Sequence, residues 1–577
     1  MSTAGNTLVS VRTPTIGADV IADAIAARGL KRVFVFPGGT IAPILDKLQT
    51  LGIELFVPRH EQGAGYAALG VARLLGEPQV VMVTSGPGVT NLVTPVADAY
   101  FDSTPLVVLT GQVGTGDMRL AMPIRQRGFQ EVDTIALMTP ITKARFLPMS
   151  ASELPQVIED AFHLAAEGRP GPVLVDLPMN VQRADIPPGP ALTERPSLAR
   201  PPVDPAAISR LAEWLAVAER PVIVAGQGVL IARATTELRS LVEGAGIPTS
   251  QSLLGLGAFP TASPLALGFH GHTGNQYAGL AIHNADLLIA VGSRLDVRQT
   301  GSMVREFVPH GRVVRIDLDP AELTHSRVRV DLGINADARE ALVALNQELS
   351  GVALPDWSAW RARIDGWRRE HPLSYSVDGP LKPQYVIAMA NRLTTGRPLT
   401  IVSGVGSHQQ WTARHFDFDS PERAWLTSGG HGAMGYDLPS AIGAALARPD
   451  VPVLCFVGDG SFQMNIQELA TIVEHQLPIK MFVLDNHRLG IVSHFQQLNW
   501  GSDPTCGDKW NPDFAAVAAS YGIPSATVMT ADQVEVPLRQ ALAAPGPFLV
   551  HFLVDPAEDV SPMLLANQTM DAMWSDR

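Results

Sequence analysis

The sequence predicts an α/β protein of three open, parallel-sheet domains, and three observations lead there. Short β-branched runs alternate with longer stretches of helical periodicity along most of the chain, which is the pattern of βα repeats whose strands lie parallel. Two stretches interrupt it. One is the proline-dense IPPGPALTERPSLARPPVDP at 186–205, where fixed φ angles and missing donors suit a surface linker. The other is 351–382, where Trp357, Trp360 and Trp367 sit among mixed charges ahead of PLKPQ. Thirdly, a plan of strand, glycine turn, helix, proline and strand occurs twice: Gly88 and Pro105 are 17 residues apart in one copy, Gly460 and Pro478 18 apart in the other. The expected domains are therefore 1–185, 206–350 and 383–577, joined by linkers at 186–205 and 351–382. Any two βαβ units share such a plan, so spacing alone leaves a true repeat and a coincidence both open.

In the first domain KRVFVF, IELFVP, QVVMVT and LVVLTG read as strands; in the second RPVIVAG, LLIAVG and RVVRIDL; in the third LTIVSG, VPVLCFVGDG and IKMFVLDN. Each is a β-branched run of strand length ending near Gly, Pro or Asp. The tryptophan spacing within 351–382 suggests a packed connecting helix. Phe462, Ile466, Leu469 and Val473 fall at steps of four, three and four, predicting one helix that ends at Leu477-Pro478.

Composition narrows the function classes. Of 577 residues 46% are apolar and 17% charged, ample for buried cores and too little charge for a disordered chain. A net charge of −13 argues against a general nucleic-acid partner, which is gripped by a basic face. Two cysteines, Cys455 and Cys506, cannot build a disulfide framework and suit a reducing compartment. Neither a basic, then apolar leader nor an apolar run of about 18 residues is present. The expectation is a soluble cytoplasmic protein without a membrane partner.

The strongest local signal runs from Val451 to Asn486. A strand ends in Gly458-Asp459-Gly460-Ser461, and after the helix the next strand stops at Asp485-Asn486. A right-handed βαβ unit puts both strand ends on one sheet edge, so Asp459 and Asn486 can converge across 27 residues. A carboxylate and an amide oxygen over a glycine turn suit Mg²⁺ with a phosphate; a surface Asp-Gly turn and a loop Asn explain the same residues equally simply. Gly430-His-Gly432-Ala-Met-Gly435 fits the dinucleotide pattern GxGxxG, but RAWLTS before it is a weak strand and no acid ends a strand about 20 residues on.

GDGSFQMNIQELATIVEHQLPIKMFVLDN resembles the thiamine diphosphate signature, in which GDG is followed some 26 residues later by an Asn-bearing turn. PGGTIAPILDKL, RHEQGAGYAALGVAR, TSGPGVTNLVTPVADAYFDSTPLVVLTGQ, FQEVD, GSRLDVRQTG and TSGGHGAMGYDLPSAIGAALA extend the likeness over about residues 14 to 565. The chain is similar to the acetolactate synthase catalytic subunit and its relatives. The resemblance implies a pyrimidine-binding, a Rossmann-like central and a diphosphate-binding domain, the first and third sharing one fold.

Carried over residue by residue, it implies that Asp459, Asn486 and the backbone carbonyl of Arg488 hold Mg²⁺, with Val405, Gly406, Ser407, His408, Gly458, Gly460 and Ser461 along the diphosphate. Gly432 and Met434 would meet the aminopyrimidine, Met434 holding the cofactor bent, and Gly38 and Gly39 would line the cofactor too. Glu61 would come from a second subunit to donate to the pyrimidine N1′ and favour the tautomer that activates C2, which requires a homodimer or homotetramer. The implied reaction is decarboxylation of a pyruvate-like 2-keto acid and carboligation of the resulting enamine to a second carbonyl, with Gln130, Lys143, Arg298 and Phe495 near substrate. Gly226, Gly228, Gly292, Arg294 and Asp317 match the family's structural FAD site, although such short glycine clusters are commonly just βα turns. A regulatory small subunit is a further implied partner. Departures bear on substrate: Phe495 stands where a tryptophan is usual, Ser407 and Asp485 replace a Gln and an Asn, Gly271-His272-Thr273-Gly274 replaces Gly-Met-His-Gly, and Thr115–Gly128 differs from the family loop. They leave open a 2-keto acid decarboxylase, or another lyase or carboligase with a non-pyruvate substrate. A silent relative is disfavoured, because Glu61, Asp459 and Asn486 have no common purpose outside the chemistry.

Overall fold

The structure, a computed structural model, describes residues 16–186 and 200–575. The chain falls into two compact units, residues 1–72 with 77–196 and residues 73–76 with 197–577.

The first unit is built on one six-stranded sheet: β1 (Arg32–Phe36), β2 (Glu54–Phe56), β3 (Gln79–Val83), β4 (Leu106–Gln112), β5 (Ala144–Phe146) and β6 (Pro172–Pro178), all parallel in the order β2-β1-β3-β4-β6-β5. Helices cover both faces, so every residue of β3, β4 and β6 is buried and the central strands read as continuous apolar runs. Strand β6, PVLVDLP, escaped the sequence reading because proline brackets it; a strand's first residue needs no ladder donor.

The second unit holds two sheets. One contains β7 (Pro221–Ala225), β8 (Thr249–Gln251), β9 (Ala266–Phe269), β10 (Leu287–Val291), β11 (Arg312–Asp317) and β12 (Leu332–Asn335), ordered β9-β8-β7-β10-β11-β12, the dinucleotide-fold order. The other contains β13 (Leu399–Val402), β14 (Arg423–Leu426), β15 (Val453–Gly458), β16 (Ile479–Asp485), β17 (Ser525–Val528) and β18 (Phe548–Leu553), ordered β14-β13-β15-β16-β18-β17. Second, first, third, fourth, sixth, fifth is the permutation of the first sheet as well. Agreement through six strands makes the repeat real.

One helix differs from the sequence reading. The helix expected across Phe462–Val473 is two, Asp459–Met464 and Glu468–Glu474. Asn465 breaks it by turning its amide to the Gly435 carbonyl at 2.6 Å, the competition with backbone bonds expected of Asn. Val473 is consequently exposed, and Ile472 takes its place in the core. Within 351–382 the helix Ser358–Glu370 follows Trp357, whose indole donates to Ala218 O at 2.8 Å, while that of Trp360 donates to Pro221 O at 3.2 Å; both rings belong to the central sheet's core, as do Leu564, Met570 and Met573 of the C-terminal segment. Most of the proline-rich stretch, 187–199, lies outside the described residues; Asp204 already caps the helix Pro205–Leu215.

Candidate active site

The third sheet reverses its winding between β13 and β15, which leaves a crevice at their carboxyl ends. There β13 runs through Gly404-Val405-Gly406 into the helix Ser407–His415, and β15 through Gly458 into Asp459-Gly460-Ser461. The imidazole of His408 lies between the two turns. A Cβ on Gly406, whose φ is +153°, or on Gly458 would stand 2.8 or 2.7 Å from its Nδ1, so only glycine lets the turns close on the ring. Its Nε2 is 3.2 Å from Asp437 Oδ1. Asp437 also accepts from the Gly404 amide and the Ser461 hydroxyl, tying both turns to the helix Asp437–Ala447. Ser461 Oγ in turn accepts from Gly435 N at 2.8 Å.

Register places Gly458 beside Leu484, so Asp459 and Asp485 end neighbouring strands side by side. Both are buried, and the Asn511 amide donates to Asp459 Oδ2 at 2.7 Å and Asp485 Oδ1 at 2.8 Å. Burial, reinforced by the Asp485 charge, pushes the Asp459 carboxyl up to about 6. Asp485 is held below the usual carboxylate range: burial opposes this, but hydrogen bonds from His551, the His487 amide and Asn511 outweigh it. Asn486 follows directly, its Oδ1 accepting from Arg488 N at 3.2 Å across a turn in which His487 takes φ +55°. The Arg488 guanidinium is engaged by Ser493 Oγ and Pro556 O, so its side chain is committed elsewhere than to a metal. A Cβ on Gly490 would sit 2.8 Å from Ser407 Oγ and 2.9 Å from Asn486 Nδ2, which brings Ser407 and Asn486 to one spot.

On the neighbouring turn Ser428 Oγ accepts from the amides of Gly432 and Ala433 at 3.0 Å each, and Gly432 has φ +73°. Met434 Cε lies 3.3 Å from where a Gly460 Cβ would be, placing it over the Gly460 turn. Phe495, on the helix Gly490–Trp500, is 43% exposed and meets Trp500 edge-on at 5.6 Å. A carboxylate and an amide oxygen beside backbone carbonyls are a donor set for a hard divalent cation, and glycine turns with room only for backbone are a cradle for phosphate.

In the first unit the carboxyl edge carries the other expected residues. Glu61 opens the helix Glu61–Leu75 and is 6% exposed; its Oε2 accepts from Asn91 Nδ2 at 3.0 Å. Gly38 and Gly39 follow β1, and a Cβ on Gly38 would meet the Thr84 side chain at 2.3 Å. Gly86, ahead of the helix Pro87–Phe101 that carries Asn91, packs on Gln130, which holds φ +62°. Gln130 and Gly39 line a cavity of about 980 Å³ with Val113, Phe129, Asn180 and Arg183. Lys143 is not brought to this edge. It precedes β5, at the amino end of the sheet, and its Nζ donates to Leu164 O and Glu167 O at 2.6 Å each, capping the end of the helix Leu154–Ala166.

The central glycines serve packing first. A Cβ on Gly226 would lie 2.1 Å from Gly292 O, and one on Gly228 2.6 Å from Gly292 Cα, so the turns after β7 and β10 touch backbone to backbone. Arg294 reaches Asp296 at 3.6 Å, and Asp317 accepts from Asp319 N at 3.0 Å. Arg298 is exposed in the short helix Val297–Thr300. At the same edge Gln251 Nε2 and His272 Nδ1 are buried without a hydrogen-bond partner, positions that a bound polar edge would satisfy.

Three family domains match the chain in order: thiamine pyrophosphate enzyme N-terminal TPP-binding domain at 15–137, central domain at 208–345 and C-terminal TPP-binding domain at 404–552. The chain is 40% identical over 555 residues to the acetolactate synthase isozyme 2 large subunit of Escherichia coli, covering 95% of this chain and 97% of that one. It is 40% identical over 556 residues to a probable acetolactate synthase large subunit of Methanocaldococcus jannaschii, covering 94% and 92%, and 39% over 576 residues to probable acetolactate synthase 2, chloroplastic, of Oryza sativa, covering 96% and 85%. The chain belongs to the thiamine pyrophosphate enzymes. It is a thiamine diphosphate-dependent enzyme, similar along its length to acetolactate synthase catalytic subunits.

Sequence reading of this thiamine enzyme missed Asp437, Asn511 and Asn91, the residues that orient the expected ones. Asp437 carried a usable signal, an acid in the first turn of a helix straight after a glycine turn. Asn511 and Asn91 carried none, since only folding brings them to Asp459 and Glu61.

Proposed function

We propose that this enzyme decarboxylates a pyruvate-like 2-keto acid and ligates the remaining acyl unit to a second carbonyl, as an acetolactate synthase does. The observation that carries the reading is that Asp459 and Asn486 follow the carboxyl ends of the neighbouring strands β15 and β16, beside glycine turns that admit only backbone. When bound, thiamine diphosphate supplies the carbon nucleophile and the electron sink that loss of carbon dioxide requires. Asp459, Asn486 and the Arg488 carbonyl would hold Mg²⁺; Val405, Gly406, Ser407, His408, Gly460 and Ser461 would border the diphosphate; Gly432 and Met434 would meet the pyrimidine. Asn91 occupies Glu61 Oε2, so Oε1 is the oxygen left to exchange a proton with the cofactor. Glu61 works in a site completed by a second copy of the chain. Gln130 and Phe495 shape the substrate side, and Arg298 attracts a carboxylate. Lys143 drops out, its ammonium being spent on helix carbonyls. FAD belongs to the central sheet, supported by the unsatisfied Gln251 and His272. The large-subunit names of the relatives support a smaller regulatory partner. No helix among the described residues is long and apolar enough to cross a membrane.

The test is product analysis after incubation with pyruvate, thiamine diphosphate and Mg²⁺. Acetolactate is expected from the wild type, while Glu61→Gln folds, binds cofactor and loses most turnover. Acetaldehyde alone would make the enzyme a simple decarboxylase; untouched pyruvate would assign it another donor.

A further inference from the structure

Asn511 lies 52 residues beyond Asp459, outside every residue assigned above to cofactor. Its surroundings give it a specific task. Asp459 and Asp485 are 3% and 1% exposed and stand side by side, and buried like charges repel unless donors compensate both. A side-chain amide carries two N–H hydrogens, and Asn511 donates to each carboxylate, at 2.7 and 2.8 Å. The amide is itself fixed, because its Oδ1 accepts from Gln463 Nε2 at 2.8 Å on the helix that Asp459 begins. Behind the pair, His551 Nε2 lies 2.9 Å from Asp485 Oδ2 and occupies that oxygen.

The loop that bears Asn511 is stitched to the turn that bears Asn486. Lys509 N donates to His487 O at 2.6 Å, His487 Nδ1 is 3.1 Å from Lys509 O, and Leu489 N donates to Cys506 O at 2.8 Å. Residues 506–511 and 487–489 thus form one connected piece, closed at its end by the amide on Asp459.

Resting on the reading that Asp459 and Asn486 hold Mg²⁺, we propose that Asn511 is a positioning residue for that metal. It sets the rotation of the Asp459 carboxylate, so that one oxygen is occupied and the other is presented to the cation, and it locks the 506–511 loop to the metal turn. Divalent-cation affinity then depends on an amide that never touches the cation, as orienting partners of metal ligands commonly do.

The experiment is Mn²⁺ binding by electron paramagnetic resonance to the full chain with saturating thiamine diphosphate, paired with melting of the metal-free protein. Asn511→Ala should lower the metal-free melting temperature, because two buried carboxylates lose a shared donor, and, measured where the metal-free variant is still folded, should bind Mn²⁺ about 10- to 100-fold more weakly. Unchanged affinity overturns the inference and leaves the functional reading intact. If Asn511→Ala does not fold, Asn511→Gln, whose amide overshoots both carboxylates, is measured instead: weakened binding supports the proposal and wild-type affinity refutes it. A wild type that binds no Mn²⁺ with cofactor present overturns the reading of the site and this inference with it.

Discussion

At Gly458 one absent methyl group shapes the turn proposed to bind cofactor. The His408 ring fills the gap between two turns, and a Cβ there would meet its Nδ1 at 2.7 Å and its Cε1 at 3.1 Å. A ring held by Asp437 cannot swing aside as the end of a flexible chain would, so Gly458→Ala must displace the ring or the turn. Overpacking of this kind destabilises by about 1 to 3 kcal/mol. Thiamine diphosphate affinity, read by calorimetry, is expected to fall by at least about tenfold in this variant, with the circular dichroism of the sheets retained; wild-type affinity would show that the turn does not bind cofactor. Lys143 gives the converse case. Its sequence context suggested substrate, but burial lowers its ammonium to about 8 and its protons go to Leu164 and Glu167 carbonyls. Lys143→Met should therefore lose about 1 kcal/mol of stability and keep its turnover, and a large fall in turnover would restore the lysine to the site.

Among the elements, β6 carries an ionisable group in an apolar place. Asp176 is buried in the middle of the first sheet, accepting from Thr110 Oγ1 at 2.7 Å and Gln112 Nε2 at 3.0 Å; burial, set against those hydrogen bonds, raises its carboxyl to about 7. The folded state thus holds this proton more tightly than the unfolded chain, whose ordinary value is 3.8. The resulting stabilisation is complete below about pH 4 and is lost as pH rises through about 7. In urea unfolding followed across pH 5 to 8, Asp176→Asn should show a shallower decline than wild type, whatever its stability offset; parallel declines would mean that Asp176 is ionised throughout. The same Gln112 amide also donates to Val132 O at 2.9 Å, so the end of β4 supports the segment bearing Gln130. Among the helices, the break at Asn465 shows how one polar side chain, bonded to Gly435 O, overrides an apolar periodicity.

For the whole molecule, two units with separate cores carry the expected site residues: Glu61 and Gln130 in the first, Asp459, Asn486 and Phe495 in the second. A ligand that binds only the folded chain stabilises it by about 2.7 kcal/mol at a hundred times its Kd. Thiamine diphosphate with Mg²⁺ at that level should raise the melting temperature, and chelation by EDTA should reverse the rise. A melting curve indifferent to both would refute the assignment of Asp459 and Asn486 to the metal.

The sequence by itself determined the parallel α/β class and the GDG-to-Asn spacing, because these rest on local strings, apolar strands buried on both faces and glycine turns where no Cβ fits; that the first and third domains are copies was decided by the shared order of their six strands. It determined less well the short strands: Thr249–Gln251 is polar yet buried by its neighbours, and Ser525–Val528 is an edge strand that buries only Val528, so neither leaves a periodic mark. Tertiary structure alone decided that Asp437 joins the two glycine turns, that Asn511 bridges Asp459 and Asp485, that Asn91 holds Glu61, and that Lys143 caps a helix. Each of these is a contact between residues distant in the chain, and a hydrogen bond needs atoms about 3 Å apart, a condition only the folded backbone can meet.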